Sequence, residues 1–179
     1  MSTAITDLEL LLRSMEFAAI RHRDQRRKDS EASPYINHPI ALAVILCSEG
    51  RISDVDVICA GLLHDTVEDT ATTLEELEAE FGARIRRIVE EVSDDKSLPK
   101  AERKRRQIER AAGVSQAAKL VKLADKIANL RDIAERPPAD WSLQRKQEYF
   151  DWARAVVDEL RGVSPALERA FDEAYGSRP

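Results

Sequence analysis

The segment Gly61-Leu-Leu-His-Asp-Thr-Val-Glu-Asp-Thr70 places a His-Asp doublet, His64 and Asp65, at the end of an apolar run, and a second acidic pair, Glu68 and Asp69, one turn later. Read as one continuous helix, it sets His64 beside Glu68 and Asp65 beside Asp69, because residues four apart share a face. Four groups able to bind a metal or move protons then crowd into six residues. Buried charges are costly unless paired or coordinated, so the cluster points to the centre of a metal-dependent hydrolase. The blander reading is a chance His-Asp pair followed by solvated charges at a helix end.

Two further positions suit the same chemistry. His38 stands at the start of a helix, before Pro39. Asp125 lies within Lys119-Leu-Val-Lys-Leu-Ala-Asp-Lys-Ile-Ala-Asn-Leu-Arg131, where Leu120, Leu123, Ile127 and Leu130 form one face and Lys122, Asp125, Asn129 and Asp132 another. Spacing leaves two accounts of Asp125 open: a functional carboxylate, or a surface charge between Lys122 and Lys126. A site built from His38, His64, Asp65 and Asp125 offers two nitrogens and at least two carboxylate oxygens. That set suits Mn²⁺, Fe²⁺ or Zn²⁺ better than a thiolate-preferring ion. Glu68 and Asp69 would then orient or deprotonate a water whose pKa the ion lowers.

The elements that must hold these residues read as helices throughout. A capping box, Thr6-Asp-Leu-Glu9, opens a helix to about Arg23 with an apolar stripe of Leu8, Leu11, Leu12, Met15 and Ala19. A polar loop, 22–33, leads to a second helix whose first position is Pro39 and whose end is Gly50. A third runs from Ser53 to about Asp69. Thr73 caps a short fourth helix that stops at Gly82, and 83–93 form a fifth. After a loop at 94–99 come a basic helix at 100–112, a long helix at 116–135, another after Ser142 to about Leu160, and a last one opened by Ser164-Pro165. No alternation of the strand type is present. The expectation is one compact all-α domain over residues 1–179, with about eight to ten helices.

Composition agrees with that class. Charged residues make up 34% and aromatics 5%, so the core must be built from Leu, Ile, Val and Ala. The formal charge of −5 argues against general nucleic-acid binding but leaves room for a local basic pocket. Cys47 and Cys59 lie in apolar stretches without a CxxC pattern and read as buried, reduced thiols, which fits a cytoplasmic protein. No signal segment and no apolar run long enough to span a membrane is present.

Basic residues flank the cluster. Arg23, Arg26, Arg27 and Lys28 precede His38, and Lys96, Lys100, Arg103 and Lys104 follow the fifth helix. Such side chains suit a multiply phosphorylated ligand, although the 103–106 run taken alone reads as a solvated face.

Taken in order, His22-Arg-Asp-Gln-Arg-Arg-Lys-Asp29, Pro34-Tyr-Ile-Asn-His-Pro39, Leu62-Leu-His-Asp-Thr-Val-Glu-Asp-Thr70, Glu91-Val-Ser-Asp-Asp-Lys-Ser-Leu-Pro-Lys100, Glu102-Arg-Lys-Arg105 and Ala118 to Asp132 resemble the hydrolase domain of the RelA/SpoT-homologue group, a branch of the HD-domain superfamily. The chain is most similar to the stand-alone small alarmone hydrolases of the metazoan SpoT-homologue type. The resemblance implies an HD fold and Mn²⁺-dependent hydrolysis of the 3′-pyrophosphate of ppGpp and pppGpp. By motif position it implies metal ligands at His38, His64, Asp65 and Asp125 and a catalytic acidic pair at Glu68 and Asp69. It implies base-stacking and phosphate contacts at Arg27, Lys28 and Asn129, and further ligand contacts at Lys100, Arg145 and Tyr149. Ala128 departs from the pattern, since relatives often carry histidine or an aromatic there. No synthetase or regulatory segment follows, so degradation of the alarmone is the expected activity.

Two other functions share these residues. One is a phosphatase for another nucleotide, NADPH above all, since some animal relatives remove its 2′-phosphate. The other is a catalytically silent HD domain acting as a nucleotide-binding regulator. Association into a homo-oligomer is left open by the sequence.

Overall fold

The computed structural model describes residues 5–179, and among them there is no strand. The helices are α1 (Asp7–Arg21), α2 (Asn37–Val44, continued by a π-helical turn, Ile45–Glu49), α3 (Val55–Leu63), α4 (Thr66–Asp69), α5 (Leu74–Val92), α6 (Lys100–Ala111), α7 (Gln116–Glu135), α8 (Leu143–Asp158) and α9 (Pro165–Tyr175). Side-chain oxygens cap most of them: Thr6, Thr73, Ser115, Ser142 and Ser164 each accept from a backbone N–H three residues on. Gly82 interrupts α5 with φ of 85°, so the predicted break between the fourth and fifth helices is real.

The centre of the fold is α7. Val121, Leu123, Ala124, Ile127, Ala128 and Leu130 are all buried on it, and α2, α3, α5, α8 and α9 pack around it. Residues 57–63 of α3 are buried without exception, against α1, α2 and α5. Gly61 makes that approach possible. A Cβ at this position would lie 2.6 Å from Leu42 Cδ2 and 2.9 Å from Leu46 Cδ1, two fully buried side chains. Gly61→Ala is therefore expected to cost about 1–3 kcal/mol through overpacking, read as a lowered melting temperature. The same contact sets the separation of α2 and α3, which carry or border His38 and His64.

Several expectations need correction. The second helix starts at Asn37, not at Pro39, so His38 sits within its first turn. Asp54, not Ser53, caps α3 by accepting from Asp56 N–H. The apolar stripe of α1 is rotated: Ser14 and Ala18 are buried, whereas Leu8 and Leu12 are exposed. Cys59 is buried but Cys47 is exposed, and both are free thiols.

The largest correction concerns the helix that was to carry the His-Asp cluster to Asp69. It ends at Leu63, and His64 and Asp65 form a turn before the short α4. Two side chains capture the carbonyls that a continuing helix would offer to residues 65 and 67. His64 Nδ1 lies 2.8 Å from Gly61 O, and Thr66 Oγ1 donates to Leu63 O at 2.6 Å. The break turns His64 and Asp65 inward together. Among the described residues, no helix is long and apolar enough to cross a membrane.

Candidate active site

Four predicted ligands converge from three places: α2 supplies His38, the turn after α3 supplies His64 and Asp65, and the middle of α7 supplies Asp125. His38 Nε2 lies 3.2 Å from Asp125 Oδ1 and 4.0 Å from Asp65 Oδ2. His64 Nε2 lies 2.9 Å from Asp65 Oδ2 and 3.8 Å from Asp125 Oδ1. His38, His64 and Asp65 also satisfy the spacing of a metal-holding group by themselves.

The donor chemistry fits a divalent ion. A carbonyl can only accept, so the His64 contact to Gly61 O places a proton on Nδ1 and turns Nε2, the atom that would meet an ion, toward the carboxylates. That Nε2 is buried and makes no hydrogen bond, although a carboxylate oxygen is near. Ligands about 2.1 Å from an ion and at right angles to each other stand about 3 Å apart, close to the two shorter separations here. Without an ion, burial works against protonation of His64, but Asp65 and Asp125 outweigh it and push its pKa up to about 9. Burial likewise opposes ionisation of Asp65 and Asp125. Neighbours override it, His64 for Asp65 and Lys126 with the hydrogen bond to His38 for Asp125, and hold both carboxyls below their usual range.

Asp125 is no surface charge. Lys122 and Lys126, which were to hold it at the surface, are buried at 8% and 4% exposure. Lys126 Nζ donates to Asp125 Oδ2 at 2.9 Å, and Asn129 Nδ2 donates to Oδ1 at 2.6 Å. Each carboxylate oxygen is thus fixed, with Oδ1 aimed at the histidines.

The acidic pair is not solvated either. Glu68 Oε2 accepts from Asp94 N–H at 3.1 Å, and its Oε1 faces Lys96 Nζ at 3.3 Å and Arg103 Nη1 at 3.6 Å. Burial, then the neighbouring Asp65, raise its pKa. Asp69 Oδ1 accepts from Lys96 Nζ, and Oδ2 lies 3.3 Å from the Tyr35 hydroxyl. The same hydroxyl donates to Asp65 Oδ2 at 2.5 Å. Asp65 and Asp69 are therefore joined through Tyr35, not stacked on one helix face.

All candidates except Lys28 line one cleft of about 860 Å³. Lys28, which is exposed, lines an adjoining cavity of about 330 Å³ that shares Arg27, Tyr35, Asn129 and Tyr149 with the cleft. Arg27 is anchored by Asp132 at 2.5 Å and lies 3.5 Å from Asn129 Oδ1. Arg145 lies over the Trp141 ring at 4.5 Å. Burial, then Arg145, Lys28 and Arg103, lower the pKa of Lys100, the mark of cations gathered around one opening. The 103–106 run divides. Arg103 and Lys104 line the cleft, whereas Arg105 and Arg106 pair with Glu102 outside it.

Sequence reasoning assigned no role to Tyr35, Lys126 or Gln25. Gln25 takes the His22 ring on its Oε1 at 2.7 Å and donates from Nε2 to Asp69 O at 2.5 Å. Tyr35 lies three residues before His38, and Lys126 follows Asp125 directly, so adjacency was the available signal for both.

Comparison with known proteins agrees with this geometry. A family model described as an HD domain matches residues 14–151. Guanosine-3′,5′-bis(diphosphate) 3′-pyrophosphohydrolase MESH1 of Danio rerio is 59% identical over 169 residues, covering 94% of each chain. The Homo sapiens protein of the same name is 57% identical over 168 residues, again covering 94% of each. A solved structure described as a metazoan ortholog of SpoT that hydrolyzes ppGpp superposes with a TM-score of 0.92 at 48% identity, over 94% of this chain and 95% of that one. The chain therefore belongs to the HD-domain family, in the branch of the metazoan SpoT homologues.

Proposed function

We infer that this chain hydrolyses the 3′-pyrophosphate of ppGpp and pppGpp, taking up one water and releasing pyrophosphate with GDP or GTP. The observation that carries this is the meeting of two histidines, two aspartates and an acidic pair in one cleft whose wall also holds Lys100, Lys104 and Lys122, none of them paired with a carboxylate among the described residues. Its support outside the chain is the activity that the relatives above are named for. We assign His38, His64, Asp65 and Asp125 as holders of a divalent ion, Mn²⁺ in the first instance. When bound, such an ion supplies an acidified water and a polarised phosphorus.

The chain's own residues do the rest. Glu68 takes the proton of the attacking water as the water's oxygen joins the phosphorus and the bond to the 3′-oxygen breaks, and that proton passes on to the released 3′-oxygen. Asp69, tied to Tyr35 and Lys96, orients that water. Arg27, Lys28 and Asn129 hold the nucleoside side, and Lys100, Arg145 and Tyr149 the remaining phosphates. One HD-type unit carries all of this, and the exposed Cys47 thiol suits a reducing, cytoplasmic setting.

The test is a pyrophosphate-release assay on purified protein with Mn²⁺ and ppGpp. Release that stops on chelation and returns with Mn²⁺ is the expected result. Intact ppGpp, under conditions where a control hydrolase consumes it, would overturn the assignment. NADPH assayed beside it tests the other nucleotide: phosphate release as fast as pyrophosphate release would move the substrate assignment.

A further inference from the structure

We propose that the part of the cleft around Lys122, Lys104 and Arg103 is the seat of the distal phosphate of the substrate's pyrophosphate group, and so selects pyrophosphate esters over monophosphate esters. The proposal rests on the phosphohydrolase assignment above and adds a subsite to it.

Lys122 is the strongest indication. It is buried at 8% exposure, lines the cleft, and pairs with no carboxylate among the described residues. The hydrogen bond recorded for its ammonium is one to Val92 O at 3.3 Å, although the group has three donors. A buried, unpaired charge is costly, and an anion in the cleft would relieve that cost. Burial, then Lys126, push its pKa down to about 8, against the pull of Asp94, Asp125 and Glu68 farther off.

Two neighbours on α6 face the same space. Lys104 is half-buried, also lacks a carboxylate partner among the described residues, and lies over the Trp152 ring at 4.7 Å. Arg103 Nε is buried without a hydrogen-bond partner, and its Nη1 reaches Glu68 Oε1 only at 3.6 Å. By contrast, Arg105 in the same run is paired with Glu102 and Glu109 on the exposed face.

Position along α7 gives the direction. Asp125 is flanked by Asn129 one turn toward the C-terminus, about 6 Å along the axis, and by Lys122 one turn toward the N-terminus, about 4.5 Å. Arg27 reaches α7 on the Asn129 side, at Asn129 and Asp132. A substrate whose nucleoside lies toward Arg27 and whose reacting phosphorus lies at Asp125 extends its next phosphate toward Lys122.

The experiment is calorimetric titration of Mn²⁺-loaded protein with inorganic pyrophosphate and, separately, orthophosphate. Lys122→Met is expected to weaken pyrophosphate about tenfold more than orthophosphate, the worth of one charge-assisted hydrogen bond. Lys104→Met should act in the same sense, and Lys122→Arg should restore most of the preference. Removing an unpaired buried cation should leave the melting temperature unchanged or raised, so loss of fold does not confound the result. Equal weakening of both anions, or none, overturns the proposal. A wild-type protein that leaves ppGpp intact, yet prefers pyrophosphate through Lys122, would keep the subsite and sink only the substrate assignment.

Discussion

Asp125→Ala is expected to lose bound metal and activity together, with kcat/KM falling at least about 10³-fold, or roughly 4 kcal/mol of barrier. The carboxylate is held on both sides. Lys126 fixes Oδ2 at 2.9 Å and Asn129 fixes Oδ1 at 2.6 Å, leaving Oδ1 facing His38 Nε2 at 3.2 Å. Alanine removes one of four donors and also leaves Lys126 buried without its partner. A buried charge stripped of its partner costs about 3–5 kcal/mol, so the alanine protein should melt earlier as well. Asp125→Asn narrows the loss of stability, because it keeps the shape and an oxygen for Lys126 while losing the charge. Metal content after dialysis, measured beside the melting temperature, is the deciding pair. An asparagine protein that melts above the alanine protein yet holds as little metal assigns that loss to ligation. Full metal occupancy in the alanine protein would remove Asp125 from the ligand set.

The acidity of this group also predicts a pH dependence. Lys126 and the histidines hold the Asp125 carboxyl below its unfolded value, so its share of stability is present above the unfolded pKa. That share is lost only as pH falls through the lowered folded value. The wild-type protein should keep this contribution through mild acid and lose it in strong acid, and the asparagine protein should lack that dependence.

What the sequence revealed and what it hid follow one physical division. Caps are local, so Thr73, Ser142 and Ser164 marked the starts of α5, α8 and α9 correctly. The turn at His64-Asp65 was hidden because the run from Gly61 to Thr70 keeps a helical pattern. Only the capture of two carbonyls by His64 and Thr66 breaks it. Asp125 was ambiguous for another reason. A polar stripe on a helix has the same spacing whether it meets water or a polar cleft, and here Lys122 and Lys126 are buried in the wall of one. The 103–106 run was divisible from spacing after all. Lys100, Arg103, Lys104 and Gln107 share a face by three- and four-residue steps and line the cleft, while Glu102, Arg105, Arg106 and Glu109 share the other and pair among themselves. Tyr35 could not be assigned from pattern, because its role is to bridge Asp65 and Asp69 across a turn that the pattern did not show.

That bridge matters for the acidic pair, where the second large effect lies. Glu68→Gln is expected to keep the metal and lose about 10²–10⁴-fold in kcat, the usual worth of a positioned proton acceptor. The Glu68 side chain stands apart from the four-donor set, held instead by Asp94 N–H, Lys96 and Arg103. Glutamine preserves its size and can still accept from Asp94, so KM should move little. Burial and Asp65 raise the Glu68 pKa, so its basic form is lost earlier than an ordinary glutamate's as pH falls. Wild-type turnover should therefore decline on the acid side from a pH above the usual carboxylate range, and the glutamine protein should lose that limb. Normal turnover in Glu68→Gln would transfer the proton to Asp69. Asp69 contacts Lys96 as Glu68 does, but its Oδ2 also lies 3.3 Å from the hydroxyl that holds Asp65. Substitution of Asp69 should then disturb metal content as well as turnover, and that combined loss tells the two carboxylates apart.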